Sequence, residues 1–333
     1  MKEGSVSFKA VEKDVVSSDM DVFYNPVMKL NRDFTVLFCK LLREDARVAF
    51  PLAGSGVRAL RSLKEASEEF RLYVNDKREG FEKDFMTSLE NNDLVSKSIT
   101  IRSTEANKFL NSEYSFDFID IDPYGSPNFL LDSSIRKLRH DGFLSVTATD
   151  TAPLCGSYAN ACKRKYWSLP LRNHEMHEVG IRILIRKIQL IGLQYEKALL
   201  PVLSFSKDHY FKVVLQCDHR KSSCNAVMKE HGMYKEAGPM WKGDLYDKKI
   251  LDRLELNEYM DDTQVFLDVL RNELDVLGMF DVHELASELK LSTMPKMDVL
   301  LPEVDGRRTH FRLTGFKSRL SKEKVVKKMK ELR

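Results

Sequence analysis

The chain predicts an α/β protein built on a doubly wound parallel sheet, and three features of the sequence lead there. Between residues 46 and 150, short apolar runs of strand length alternate with charged stretches of helix length, the pattern of a parallel sheet buried between helices. A small-residue turn, Leu52-Ala53-Gly54-Ser55-Gly56-Val57-Arg58, follows the first run and opens a helix; the next strand ends at Asn75-Asp76, about 20 residues on. The run Phe116-Asp117-Phe118-Ile119-Asp120-Ile121-Asp122 stops at Pro123-Tyr124-Gly125-Ser126-Pro127. Pro123 and Pro127 carry no amide hydrogen for a ladder, and Gly125 permits a sharp turn.

Taken in order, Phe23-Tyr24-Asn25-Pro26 reads as an aromatic pair in a turn, and Asn31-Arg32-Asp33 sits at the start of a helix through Phe34, Leu37, Phe38, Leu41 and Leu42. Five strands are expected at 46–50, 70–74, 99–102, 116–122 and 142–147, the last after a basic helix ending Arg136-Lys137-Leu138-Arg139-His140. A helix from about His174 to Leu193 carries Ile181, Leu184, Ile185, Ile188 and Ile191 at helical spacing. Residues 199–205 and 210–216 read as a hairpin closing the sheet edge. Beyond residue 218 strand-like runs thin out and charged helices take over, with amphipathic patterns at 265–279 and 282–291. The expected division is therefore a first domain over 1–218 and a smaller α/β domain over 219–333.

With 333 residues and 43% hydrophobic content, the chain can bury a sizeable core and is not a disordered polypeptide. It holds no apolar run long enough to span a bilayer, and Met1-Lys2-Glu3-Gly4-Ser5 does not begin an apolar signal segment. These features predict a cytoplasmic protein with no membrane attachment, and none of them names an obligate protein partner. Five scattered cysteines point to free thiols rather than a disulfide framework. A net charge of +3 leaves any anionic partner to local clusters such as Lys163-Arg164-Lys165, Arg307-Arg308 and the lysine-dense stretch 317–333.

The chemistry is expected at Asp122, because ligands of open α/β sheets bind at the carboxyl ends of strands. A carboxylate, the free carbonyls of Asp122 and Pro123, and the ring of Tyr124 suit a planar base bearing an exocyclic amine. Acceptors on the amine hydrogens localise a lone pair otherwise spread into the ring, and help remove the proton that is released. Tyr124 supplies a face on which a flipped base stacks. Asp76 is placed to hold ribose hydroxyls, and a Gly-x-Gly turn without its third glycine fits a nucleoside cofactor lacking a pyrophosphate.

Read together, Phe-Tyr-Asn-Pro at 23–26, Asn-Arg-Asp at 31–33, Asp-Pro-Tyr-Gly-Ser-Pro at 122–127 and Thr-Ala-Thr-Asp-Thr-Ala-Pro-Leu-Cys-Gly at 147–156 form an ordered set. It continues through His174-Glu175-x-His177-Glu178-Val179-Gly180, Lys207-Asp208-His209-Tyr210-Phe211, Gly238-Pro239-x-Trp241-x-Gly243, Arg308-Thr309-His310-Phe311 and Thr314-Gly315-Phe316-Lys317. The chain resembles the tRNA guanosine-26 N2-dimethyltransferase family from Phe23 to about Lys317. That resemblance implies a class I, Rossmann-like methyltransferase sheet, S-adenosyl-L-methionine as cofactor and tRNA as partner. It further implies Arg32 and Arg58 near the methionine carboxylate, Asp76 on the ribose, and Glu105 with Ala106 at the adenine. Phe23 and Tyr124 would sandwich the flipped guanine, beside Tyr24 and Pro123, with Asp122 as the catalytic carboxylate. Glu105 stands where the family usually has Asp, and Tyr124 where it usually has Phe. The acidic residue usual at the end of the first strand is replaced around Phe50-Pro51.

Rival readings are weaker. Cys217, His219, Cys224 and His231 lack the paired spacing of a zinc site, so no metal is expected. Cys155 beside the active strand would suit covalent addition to a pyrimidine, but the amine-directed cluster at Asp122 already accounts for the chemistry. A DNA amine methyltransferase would carry Asp-Pro-Pro-Tyr rather than Asp-Pro-Tyr-Gly. A plain RNA-binding module has no use for Asp76, Arg32 and Asp122 together.

Overall fold

The structure is a computed structural model that describes residues 1–9, 24–94, 98–291 and 294–332. Seven strands form one sheet: β1 (Arg47–Phe50), β2 (Arg71–Asn75), β3 (Ile99–Arg102), β4 (Phe116–Ile121), β5 (Leu138–Ala148), β6 (Ala198–Lys207) and β7 (Tyr210–Asp218). Their order is β3-β2-β1-β4-β5-β7-β6, with β7 antiparallel to both neighbours and the rest parallel. The order reverses between β1 and β4. A crevice therefore opens at their carboxyl ends, where the Gly54-Ser55-Gly56 turn and Asp122 leave the sheet.

Helices cover both faces: α1 (Lys29–Cys39), α2 (Val57–Glu65), α3 (Phe81–Glu90), α4 (Ala106–Ser112), α5 (Asn128–Lys137), α6 (Ala159–Tyr166) and α7 (Met176–Leu193). Strand alternation decides which face a residue serves. Lys212 of β7 points to Asn31 on α1, while the ring of its neighbour Phe211 lies against Gly180 on α7. Glycine at 180 is required by that approach, because a Cβ there would stand 2.9 Å from Phe211 Cε2.

Several elements differ from expectation. The strand foreseen at 142–147 begins at Leu138, directly after α5. The helix foreseen over 265–279 is Asp261–Asn272; it stops because Glu273 turns inward, accepting hydrogen bonds from Thr309 Oγ1 at 2.7 Å and the His310 amide at 3.1 Å. Three pairings escaped the pattern: an N-terminal ribbon of Lys2–Glu3 with Val6–Ser7, a hairpin of His231–Tyr234 with Ala237–Trp241, and a small sheet in which Gly315–Lys317 lies between Phe280–Asp281 and Arg307–Arg308.

The apolar cores do not divide at residue 218. One continuous core runs from Val6 through Met279 and includes Phe311, whereas a small second core is confined to Val282, Leu285, Ala286, Leu300, Val304, Phe316, Val325 and Met329. A buried ion network joins the two parts. Lys317 Nζ lies 3.1 Å from Glu178 Oε1 and 3.7 Å from Glu273 Oε1, and donates to the Val276 carbonyl at 2.8 Å; Arg182 pairs with Glu178 at 2.9 Å. Lys317 is fully buried, so it cannot join the phosphate-facing surface suggested by its lysine-rich neighbourhood.

Candidate active site

The two-residue period of β4, carried one residue past its end at Ile121, sends Asp120 and Asp122 to the same face, toward α1 and α2. Arg58 of α2 bridges them: its Nε is 3.0 Å from Asp120 Oδ2, and its Nη2 pairs closely with Asp122 Oδ2. Its Nη1 donates to Asn31 Oδ1 and Thr35 Oγ1, each at 2.7 Å, two α1 residues one turn apart. From β7, Lys212 Nζ reaches Asp120 Oδ1 at 2.9 Å and Asn31 Oδ1 at 3.0 Å. Ser145 also donates to Asp120. Two cations and two carboxylates therefore balance beneath the loop that follows Asp122, an arrangement that survives burial only when charges and hydrogen bonds are both met. Burial alone would raise the Asp120 carboxyl; Arg58 and Lys212 outweigh it and hold the group below its usual range. For Lys212 burial prevails over Asp120 and lowers the ammonium's pKa.

Asp122 itself is half-buried, with Oδ2 committed to Arg58. Among the described residues no hydrogen bond occupies its Oδ1. Pro123 is buried and Tyr124 is 52% exposed. Gly125 has φ +79°, and its amide donates to Thr149 Oγ1 at 2.7 Å while its carbonyl accepts from the Thr149 amide at 3.1 Å. The turn is thus fastened to the loop after β5. Phe23, the expected opposite face of the base sandwich, lies outside the described residues.

Along the same rim, the Asp76 carboxylate accepts from the amides of Gly54 at 2.8 Å and Arg78 at 3.0 Å. Asn75 laces the rim together: its side-chain amide donates to the Pro51 and Thr104 carbonyls, both at 3.0 Å, and accepts from the Thr104 amide at 3.1 Å. Glu105 caps α4, accepting from the Lys108 amide at 2.9 Å and from Asn107 Nδ2 at 3.0 Å. Partial burial raises its pKa, but the backbone donors of Asn107 and Lys108 outweigh that and lower it. Ala106 is buried behind it.

Three expected contacts are occupied differently. Arg32 does meet a carboxylate, but that of Glu3: its Nε lies 2.8 and 3.0 Å from the two Glu3 oxygens, and its Nη1 donates to the Asn25 carbonyl at 3.0 Å. Tyr24, expected beside the base, turns inward and donates to Glu3 Oε2 at 2.9 Å, with the Arg32 guanidinium 4.9 Å from its ring centroid. Burial, then Glu3, pushes its hydroxyl up to about 12. Arg58 spends its guanidinium on Asp120, Asp122 and α1. Glu3 also binds Arg61 at 2.8 Å; burial opposes its ionisation, yet Arg32 and Arg61 prevail and hold it at about 2.

These residues fit S-adenosyl-L-methionine. Gly54 and Gly56 have φ of +58° and +78°, letting the backbone turn close beside β1. The Asp76 and Glu105 oxygens keep lone pairs beyond those used by backbone donors. Tyr210, at the start of β7 and only 2% exposed, finds no partner for its hydroxyl among the described residues; burial, then Asp208 and Asp122, raise its pKa, with Arg58 and Arg32 near enough to oppose them. An orphaned buried hydroxyl at that place fits a polar ligand.

Cys155 does not fit a nucleophile. Burial, then Cys162, raises its thiol to about 12, and thiolate character is what covalent addition requires. All five cysteines are free, and among the described residues no cluster of three or more His, Cys, Asp or Glu side chains is arranged for a metal. Glu3 and Lys212 were missed by sequence reasoning. A lysine inside the apolar run 210–216 was the available signal for the second; nothing local marked the first.

Comparison with known proteins agrees with this fold. The sequence matches the family described as N2,N2-dimethylguanosine tRNA methyltransferase over residues 4–236 and 231–330. It is 35% identical to the tRNA (guanine(26)-N(2)/guanine(27)-N(2))-dimethyltransferase of Aquifex aeolicus, covering 95% of this chain and 92% of that protein. It is 30% identical to the tRNA (guanine(26)-N(2))-dimethyltransferase of Methanocaldococcus jannaschii, covering 98% and 97%. The solved structure of Trm1 from Pyrococcus horikoshii with S-adenosyl-L-methionine superposes with a TM-score of 0.89 at 28% identity, covering 99% of each chain.

Proposed function

The chain belongs to the N2,N2-dimethylguanosine tRNA methyltransferase family, and on that premise we propose that Asp122 is the residue on which its reaction turns. The protein is a methyltransferase that places one or two methyl groups on the exocyclic N2 amine of guanosine 26 in tRNA. S-adenosyl-L-methionine, when bound, supplies the electrophilic methyl carbon.

The observation that carries the assignment is the division of labour between the oxygens of Asp122: Arg58 takes Oδ2, leaving Oδ1 for the amine. Oδ1 accepts one N2 hydrogen, which localises the nitrogen lone pair, and the same oxygen receives the proton lost when the new bond forms. Pro123 and Tyr124 orient the ring, Tyr124 by stacking, with Phe23 proposed on the opposite face. Holding amine and acceptor in line supplies much of the acceleration. For a second transfer, the monomethylated amine turns its remaining hydrogen to Oδ1.

Asp76 is proposed to hold the ribose hydroxyls, Glu105 and Ala106 the adenine edge, and Arg32 and Arg58 the methionine end through the N–H groups that their protein partners leave over. In this reading Glu3 and Tyr24 orient Arg32, and Tyr24 acts on the base only indirectly. Residues 219–333 help position the tRNA. A cytoplasmic location belongs to the same proposal; among the described residues no helix is long and apolar enough to cross a membrane. Nucleoside mass spectrometry of unmodified tRNA, incubated with protein and S-adenosylmethionine, tests the reading. N2-methylated guanosine is expected, and is lost when guanosine 26 is replaced; methylation elsewhere contradicts it.

A further inference from the structure

Buried cations in this protein are satisfied nearly everywhere: Arg32, Arg58, Arg61, Arg182, Lys212 and Lys317 all meet carboxylates. On the middle of α7 the buried Lys187 is not, and neither is its half-buried neighbour Arg186. Lys187 is only 6% exposed, has no carboxylate or hydrogen-bond partner among the described residues, and rests its ammonium 2.9 Å from the centroid of the Trp167 ring. Arg186 beside it makes one long bond, from Nη1 to the Trp167 carbonyl at 3.4 Å, and its Nε is sealed from solvent without an acceptor among the described residues. Burial alone lowers both groups, Lys187 to about 8, with no acidic neighbour among the described residues opposing it. On the adjoining hairpin His231 feels the Arg186 charge and is engaged with Gln189 at 2.8 Å; burial, then Arg186, lowers it to about 4. It offers no counter-charge.

Trp167 follows the exposed basic end of α6, Lys163-Arg164-Lys165, and is itself 52% exposed. That end of α6 is tied to the turn after Asp122: Asn128 Nδ2 donates to the Lys165 carbonyl at 2.9 Å, and Tyr166 OH donates to Ser126 Oγ at 3.1 Å. Positive groups that meet no carboxylate among the described residues, an exposed aromatic face and a direct link to the catalytic turn thus share one surface.

We infer that Arg186, Lys187 and Trp167, with Lys163 and Arg164 beside them, bind the phosphate backbone of tRNA near the methylated guanosine. The inference rests on the functional reading above, since that reading supplies the polyanion. A phosphate would meet the two uncompensated cations by charge-assisted hydrogen bonds, and Trp167 offers a face for a neighbouring base.

The test is filter binding of unmodified tRNA to full-length protein over a range of KCl concentrations, comparing wild type with Arg186→Gln/Lys187→Gln. Expected are an affinity loss of about 10-fold or more and a log–log salt slope shallower by about 2, with S-adenosylmethionine affinity unchanged by calorimetry. Wild-type affinity and slope in the folded double variant would overturn the inference. A second measurement needs no charge variant: the tryptophan emission of wild type should change on adding tRNA, and this change should vanish in Trp167→Phe. Identical responses in the two proteins would also overturn it, as would saturation of the response by micromolar inorganic phosphate with none from tRNA, the mark of a free-anion site. Failure of the functional reading is separable, because it appears as absence of methylated guanosine in the wild type.

Discussion

Arg58 joins Asp122 to a second carboxylate, Asp120, that solvent never reaches: one guanidinium spans both, with Nε 3.0 Å from Asp120 and Nη2 on Asp122. The side chain proposed to accept the amine proton is therefore aimed from below by a charge network anchored on α1, β5 and β7.

Arg58→Lys tests that network. A lysine carries the charge but cannot span two carboxylates with separate nitrogens. Turnover is expected to fall by about 10- to 100-fold, roughly 1.4–2.7 kcal/mol of barrier, with a lower melting temperature. Single-turnover methylation and thermal denaturation check it; wild-type turnover would remove Arg58 from the account.

Glu3→Gln should destabilise the protein at neutral pH by about 3–5 kcal/mol, the usual cost of breaking a buried pair, because Arg32 and Arg61 lose their shared anion. The pH dependence has a defined sign. Glu3 is held at about 2 in the folded protein against an ordinary 4.5, so its contribution is complete above pH 4.5 and is lost as pH falls through 2. Urea midpoints measured from pH 6 to pH 2 should decline in wild type and decline less in Glu3→Gln.

Sequence legibility followed the range of the forces involved. Asp122, Asp76 and the Gly54–Gly56 turn were readable because proline, glycine and a strand-ending carboxylate declare themselves within a few residues. Glu3 was not, since its partners Arg32 and Arg61 stand 29 and 58 positions away. Lys212 was hidden for a related reason. The strand holding it belongs to the expected hairpin at the sheet edge, but local pattern does not say which strand of that hairpin pairs inward; β7 does, against β5, and this places the lysine on Asp120, 92 positions distant. The helix expected over 265–279 has the right apolar period; its early end at Asn272 depends on Thr309, His310 and Lys317 drawing Glu273 inward, which periodicity cannot encode.

Gly56→Ala should weaken both stability and cofactor binding. Its φ is +78°, and the added methyl would lie 2.4 Å from Phe85 Cδ2. A loss of about 1–3 kcal/mol is expected from strain and overpacking together. Chemical denaturation and calorimetry with S-adenosylmethionine would show it; unchanged values for both would place the turn outside the cofactor's reach.

Lys317→Met leaves Glu178 and Glu273 buried without their shared cation, a loss of about 3–5 kcal/mol. Hydrogen exchange should accelerate most where Lys317 held the chain, around Val276 and across the pairing of Phe280 with Phe316. Uniform protection equal to wild type would mean that this network does not fasten the C-terminal region.

The most direct test of the central claim is single-turnover methyl transfer to unmodified tRNA by Asp122→Asn, measured beside its calorimetric affinity for S-adenosylmethionine. The amide keeps the shape and one acceptor oxygen but cannot take up the proton. Transfer slowed by about 10²- to 10⁴-fold with cofactor affinity retained is the predicted result; transfer at the wild-type rate would contradict it.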